Sequence, residues 1–320
     1  MNKSQDDDGR PTWIWLAVSR SPVASLWNLE GIPLRLVAAS AWKATLEDRL
    51  LGRAAELAFY FLFALFPTLF SASSILGLAA RSASQFYDKI LLYLALVVPT
   101  SALGTILNTF NETTAAATKG KITFGLIAAI WSASVGVSAI QDSMNSVYKV
   151  KETRSYIMAR IYAIGLTVVL AAIFTLILSV MLSGDLLATL AERQIHQPIL
   201  IWMSVIVSRS CGWVVATALL ALAFAVVYYW APNVERRRWR WFTPGGGIGM
   251  LGWLIGSLGL RIYLNYFDSY SVTYGSLGAV IILLTWFYLS GLMLLAGAEI
   301  NSEIEAAAIK ARLARGAVNP

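Results

Sequence analysis

The sequence predicts an all-α, polytopic membrane protein. Of its 320 residues, 58% are hydrophobic and 13% are Asp, Glu, Lys or Arg, where soluble domains carry about 25% charged residues. Mean hydropathy is +0.65. The apolar residues also gather into uncharged runs long enough to cross a hydrocarbon core of about 30 Å at about 1.5 Å per residue. In lipid only helices and closed barrels satisfy every backbone group, and continuous rather than alternating apolar runs indicate helices.

In chain order, residues 1–20 read as a mobile polar tail. They begin with Lys3 and Asp6 to Asp8, and their first apolar patch, Trp13 to Val18, is too short for a signal peptide. Residues 21–53 mix Trp27, Leu34, Trp42, Leu46 and Leu50 with Arg35, Lys43, Glu47, Asp48, Arg49 and Arg53. That mixture suits either a helix in the cytoplasmic membrane interface or a solvated helix packed on a bundle. A transmembrane domain is expected over 54–305, with six spans: 57–80, 122–141, 161–184, 211–230, 241–260 and 269–298. Residues 306–320 then form a cytoplasmic tail. The run 90–111 is also uncharged but holds Pro99, Asn108 and several hydroxyls. With six spans and a cytoplasmic N-terminus, 18 of the 25 Lys and Arg fall inside, as the positive-inside rule requires. A seventh span would turn two short loops with four basic residues each outward, so 90–111 reads as re-entrant or lying on the outer surface.

The net charge of +7 would suggest nucleic acid in a soluble protein. Here it reflects basic residues held at the cytoplasmic face of a membrane protein, and no nucleic-acid partner is expected. The one cysteine, Cys211, and the one histidine, His196, supply neither a disulfide nor a zinc site, and Cys211 reads as a small buried residue. No metal site or cofactor is expected. There is no G-x-S-x-G, H-E-x-x-H or Walker A motif, and one histidine offers little acid–base chemistry, so no catalytic residue is assigned.

The remaining candidates serve transport, lipid contact or packing. Asp142 and Asn145 close the second span, and Glu299 and Asn301 close the sixth. Arg209 and Arg261 stand at the opposite face, and Tyr270, Thr273 and Tyr274 lead into the last span. These residues line a substrate path, or they are interface charges and helix caps with water access. Arg236, Arg237, Arg238 and Arg240 sit beside tryptophans at a membrane boundary, where they suit anionic headgroups. Gly245, Gly249, Gly252, Gly256 and Gly259 recur at spacings of four and three. Such a seam permits close backbone approach, for packing within the bundle or for homo-oligomerisation.

These stretches resemble the YihY/BrkB family of bacterial inner-membrane proteins. Ala54 to Tyr60 with Phe66-Pro67 is similar to its first-span motif. Trp131-Ser132-Ala133-Ser134 followed by Asn145, Tyr148, Glu152 and Arg154 is similar to its second-span pattern. Pro232-Asn233, Pro244-Gly245, Ser269 to Gly278 and Gly297 to Asn301 complete the likeness, from about residue 48 to 305. Glu56 departs from it, since the family usually carries a small or neutral residue there. The resemblance implies six spans in the cytoplasmic membrane, and members have borne the labels "ribonuclease BN" and "virulence factor". The expected function is transport or lipid handling, with an anionic substrate suited to the arginines. A structural or assembly role is the alternative, and a ribonuclease is the least favoured reading.

Overall fold

The structure is a computed structural model that describes residues 26–27, 33–79, 119–194, 198–234, 239–266 and 276–314. Among them are seven α-helices: α1 (Leu34–Glu47), α2 (Leu50–Ala79), α3 (Lys119–Val147), α4 (Tyr156–Gln194), α5 (Pro198–Trp230), α6 (Pro244–Tyr266) and α7 (Ser276–Ala314). The segments 90–111 and 1–20 lie outside the described residues. Five stretches are long and apolar enough, by length and composition, to cross a membrane: Thr123–Val147, Tyr156–Met181, Val205–Trp230, Pro244–Tyr266 and Leu277–Ala311.

The helix boundaries have local causes. Pro244 occupies the first turn of α6, where its missing N–H costs nothing, and Thr243 Oγ1 caps that turn by accepting the Gly246 N–H at 3.0 Å. α3 ends in a Schellman turn: Val150 N–H donates to Asn145 O and Lys149 N–H to Ser146 O, with Lys149 left-handed at φ 54°. Arg49, at φ 52°, makes the corresponding break between α1 and α2. The helices overrun the uncharged sequence runs because charged ends can remain helical while their heads reach water. At the C-terminus α7 continues to Ala314. It runs through residue 305 because Glu305-Ala-Ala-Ala-Ile309 holds strong helix formers, and Ala306, Ala308 and Ile309 are buried.

The packing order is a closed ring. Each helix from α2 to α6 packs on the next in sequence, and α7 returns to α2 and also touches α3. α1 lies against α7 and α2. Its buried Val37 joins Leu26 and Ile304, and Trp27 stacks on Phe242 while donating Nε1–H to its carbonyl at 3.0 Å. Leu50, Leu57, Met144, Val147 and Leu295 are fully buried in the core. Phe59, Phe124, Ile161, Trp213, Leu251 and Ile255 are all more than 50% exposed. An apolar outer surface of that kind suits lipid, not water. Cys211 lies on this outside as an exposed thiol, not in the core, because its helix face points away from the ring.

Candidate functional site

Alternating chain direction brings the end of α3, the start of α4, the end of α5, the start of α6 and the last third of α7 to the α1 end. Two polar networks join there. In the first, Asn145, buried on α3, donates Nδ2–H to Glu152 at 2.8 Å and accepts the Asn233 N–H at 2.7 Å. Asn233 donates back to the Lys151 carbonyl and the Thr153 hydroxyl. Arg154 grips both Glu152 oxygens, at 2.7 and 2.6 Å, and reaches the Ala231 carbonyl at 3.3 Å. Hydrogen bonds from Arg154, and then from Asn145, hold the Glu152 carboxyl down at about 2 against partial burial.

The second network fixes α6 on α7. Asn301 is 1% exposed. Its Oδ1 accepts the Gly245 N–H and its Nδ2–H donates to Thr243 Oγ1, both at 2.9 Å. Tyr228 O–H donates to the Leu294 carbonyl at 2.9 Å, and Ser302 Oγ–H to the Val147 carbonyl at the end of α3. Glu299 is fully buried one turn of α7 away, and Glu303 and Glu305 are 6% and 3% exposed. Burial, with the Glu305 charge second, pushes the Tyr148 phenol up.

Beside these networks an open cleft of about 560 Å³ is lined by Glu47, Asp48, Arg49, Gly52, Arg53, Glu56 and Ser146. Asp48 pairs with Lys149 across it, so the two left-handed residues Arg49 and Lys149 flank one ion pair. Asp142 is exposed on the neighbouring turn of α3. Glu56 also faces this cleft.

The structure therefore brings Asp142, Asn145, Glu299 and Asn301 together at one end. Arg209, exposed, lies 21 residues before the end of α5, about 31 Å away along the helix. Arg261, part-buried, lies 17 residues into α6, about 25 Å from the same end. Tyr270, Thr273, Tyr274, Arg236, Arg237 and Arg238 lie outside the described residues. Arg240 does not simply face headgroups: its guanidinium donates to buried Glu305 at 3.0 Å.

The glycine seam divides in two. A Cβ on Gly245 would strike the Gly297 carbonyl and the Asn301 amide. One on Gly249 would stand 2.9 Å from the Met293 carbonyl, and one on Gly252 would meet the flexible Met293 sulfur at 2.6 Å. Gly256 and Gly259 have nothing within 4 Å among the described residues. Two indole–hydroxyl bonds, Trp253 to Ser290 and Trp286 to Ser257, also join α6 to α7.

Sequence reading missed one residue of this kind. Arg160 counts as a loop charge by position, yet it is the fifth residue of α4. Its guanidinium donates to the Trp131 carbonyl at 3.2 Å and to Ser138 Oγ at 3.3 Å, and lies over the Trp131 ring at 4.3 Å. The signal available in sequence was the period of Trp131, Ser134 and Ser138, which puts polar groups on one face of an apolar helix.

Known proteins are similar to this chain over most of its length. A ribonuclease-like protein of Bacillus subtilis, YfkH, is 34% identical over 256 residues, which cover 78% of this chain and 88% of that protein. A UPF0761 membrane protein of Paraburkholderia xenovorans is 27% identical over 85% of this chain and 61% of its own length. One of Stenotrophomonas maltophilia is 28% identical over 83% and 60%. The chain thus spans about 60% of the length of these UPF0761 relatives. No solved structure matches it. The family model for the virulence factor BrkB matches residues 41–318, which takes in every network described above, and the chain belongs to that family of membrane proteins.

Proposed function

We propose that the chain is a six-span protein of the cytoplasmic membrane, with both termini cytoplasmic, that transports or handles a lipid-associated, anionic substrate. The observation that carries this reading is the charge inside helices able to cross a membrane. Asp142, Glu299, Glu303 and Glu305 lie within such helices at the α1 end, and Arg209 and Arg261 within them at the other. Ionisable groups at membrane depth are costly to hold and commonly mark a substrate or ion path. Arginine suits an anion because its planar fork stays charged and binds phosphate or carboxylate bidentately. The 18 basic residues assigned inside support the orientation.

A structural or assembly role is the second reading. It is favoured by Asn145 and Asn301, whose amides are engaged in bonds between helices and loops. The ribonuclease-like name belongs to the Bacillus relative. We read this chain as a non-enzyme, since a sole histidine and scattered acids offer no acid–base pair for RNA cleavage.

Proteoliposomes loaded with labelled anionic lipids or small anions test the proposal. Wild-type protein should move label, and Arg209→Gln and Arg261→Gln should slow it at unchanged folded yield. Full activity in both well-folded variants would refute an anion path. Activity that merely tracks folded yield in every variant would favour the structural role.

A further inference from the structure

Arg160 lies within the span-capable stretch Tyr156–Met181, and every contact it makes is to a neutral group. These are the Trp131 carbonyl, the Ser138 hydroxyl and the Trp131 ring. Among the described residues no carboxylate lies within ion-pair range of it, and its Nε is buried without a hydrogen-bond partner. Two of the five guanidinium N–H donors are used. Arg160 stands four residues into α4, about 6 Å along the helix, and its guanidinium reaches Trp131, 16 residues before the end of α3 at Val147. A charge there normally pairs with another charge.

The surroundings form a track. On α3, Trp131, Ser134, Ser138, Gln141, Asp142 and Asn145 fall within an arc of about 100° at the period of an α-helix. Ser134 Oγ–H donates to the Trp131 carbonyl and Ser138 Oγ–H to the Ser134 carbonyl. Gln141 is 3% exposed, and its Nε2 has no hydrogen-bond partner. The outer rim is open: Trp131 is 57% exposed and Asp142 is exposed. The track starts at Trp131 and ends at the Asn145–Glu152–Arg154 network, about 21 Å further along α3. A polar stripe on α3 thus runs beside the Arg160 guanidinium, and the exposed Trp131 ring marks where that cation meets the apolar outer surface.

We infer that the α3–α4 boundary binds the phosphate of a lipid headgroup, with Arg160 as the phosphate ligand and Trp131 as its rim. A phosphate supplies the negative charge that the guanidinium lacks and accepts its remaining N–H groups in a fork. The apolar outside accommodates the acyl chains while the exposed Trp131 ring packs beside the headgroup. This rests on the lipid-handling side of the function proposed above.

The test is binding to the purified full chain. Wild type and variants are exchanged into nanodiscs containing phosphatidylglycerol, and retained lipid is counted by native mass spectrometry. Arg160→Gln should lower retention about tenfold, the loss expected for one charged hydrogen-bonded contact. Trp131→Ala should lower it several-fold, and Lys43→Gln, a surface cation outside the site, should leave it unchanged. Wild-type retention in a folded Arg160→Gln variant would overturn the site. Should that variant fail to fold, photoreactive phosphatidylglycerol on wild-type protein decides: adducts on the 131–145 or 156–167 peptides support the site, and adducts only elsewhere overturn it. Inorganic phosphate that displaces the lipid at equal concentration would identify a free-phosphate site and overturn the lipid assignment. Arg160-dependent retention without any transport would remove the transport reading and leave this site standing. Transport without such retention would remove this site alone.

Discussion

Replacing Gly245 by alanine tests a close backbone approach between α6 and α7. The added methyl meets the Gly297 carbonyl and the Asn301 amide, backbone on one side and a fully engaged side chain on the other, so neither yields cheaply. Overpacking of this kind costs about 1–3 kcal/mol. Displacing Asn301 also weakens its bonds to Gly245 N–H and Thr243 Oγ1, and leaving buried polar groups unsatisfied costs about 1–3 kcal/mol more. We expect a loss of about 3 kcal/mol or more, read as a fall in detergent melting temperature on the order of 5–10 °C. Gly297→Ala should match it, since its methyl would strike the Tyr228 hydroxyl and the Gly245 carbonyl. Gly252→Ala should cost less, because only the mobile end of Met293 must move. Gly256→Ala should be neutral or mildly stabilising, since alanine is the better helix former by about 1 kcal/mol. Equal melting temperatures for Gly245→Ala and Gly256→Ala would show that the α6–α7 crossing does not depend on these contacts.

Three further outcomes follow from the α1 end. Asn145→Leu should lose about 2 kcal/mol in thermal unfolding, since Glu152 loses one of its donors and the Asn233 N–H loses its side-chain acceptor. The Glu152 carboxyl is held at about 2 against 4.5 for the free group, so its contribution to stability is present above pH 4.5 and is lost as the pH falls toward 2. Glu152→Gln should flatten melting temperature against pH in that acid window alone, and an unchanged profile would contradict the assigned bonds. Glu305→Leu should destabilise by about 3 kcal/mol, because it breaks the buried ion pair with Arg240. The double variant Glu305→Leu with Arg240→Met should recover most of that loss, measured by the same melt.

The sequence alone determined the class of this protein and most of its helices. Uncharged runs of 20 or more residues have one stable solution in lipid, because backbone groups without water must bond within their own segment. Thr243-Pro244 marked a helix start for a local reason, and the glycine spacing marked a close approach. Tertiary structure decided what those features do. Gly245, Gly249 and Gly252 meet α7 while Gly256 and Gly259 do not, and only the path of α7 separates the two groups. Asn145 bonds Asn233 from 88 residues away, and Asn301 caps a helix that starts 57 residues earlier. Such pairings have no local signal, because a buried amide is satisfied by whichever donor the fold brings to it. Arg160 shows the same division. Counting charges put it in a loop, and the register of α4 against α3 placed it beside Trp131, where its neutral surroundings give it a chemistry that its position in the chain does not reveal.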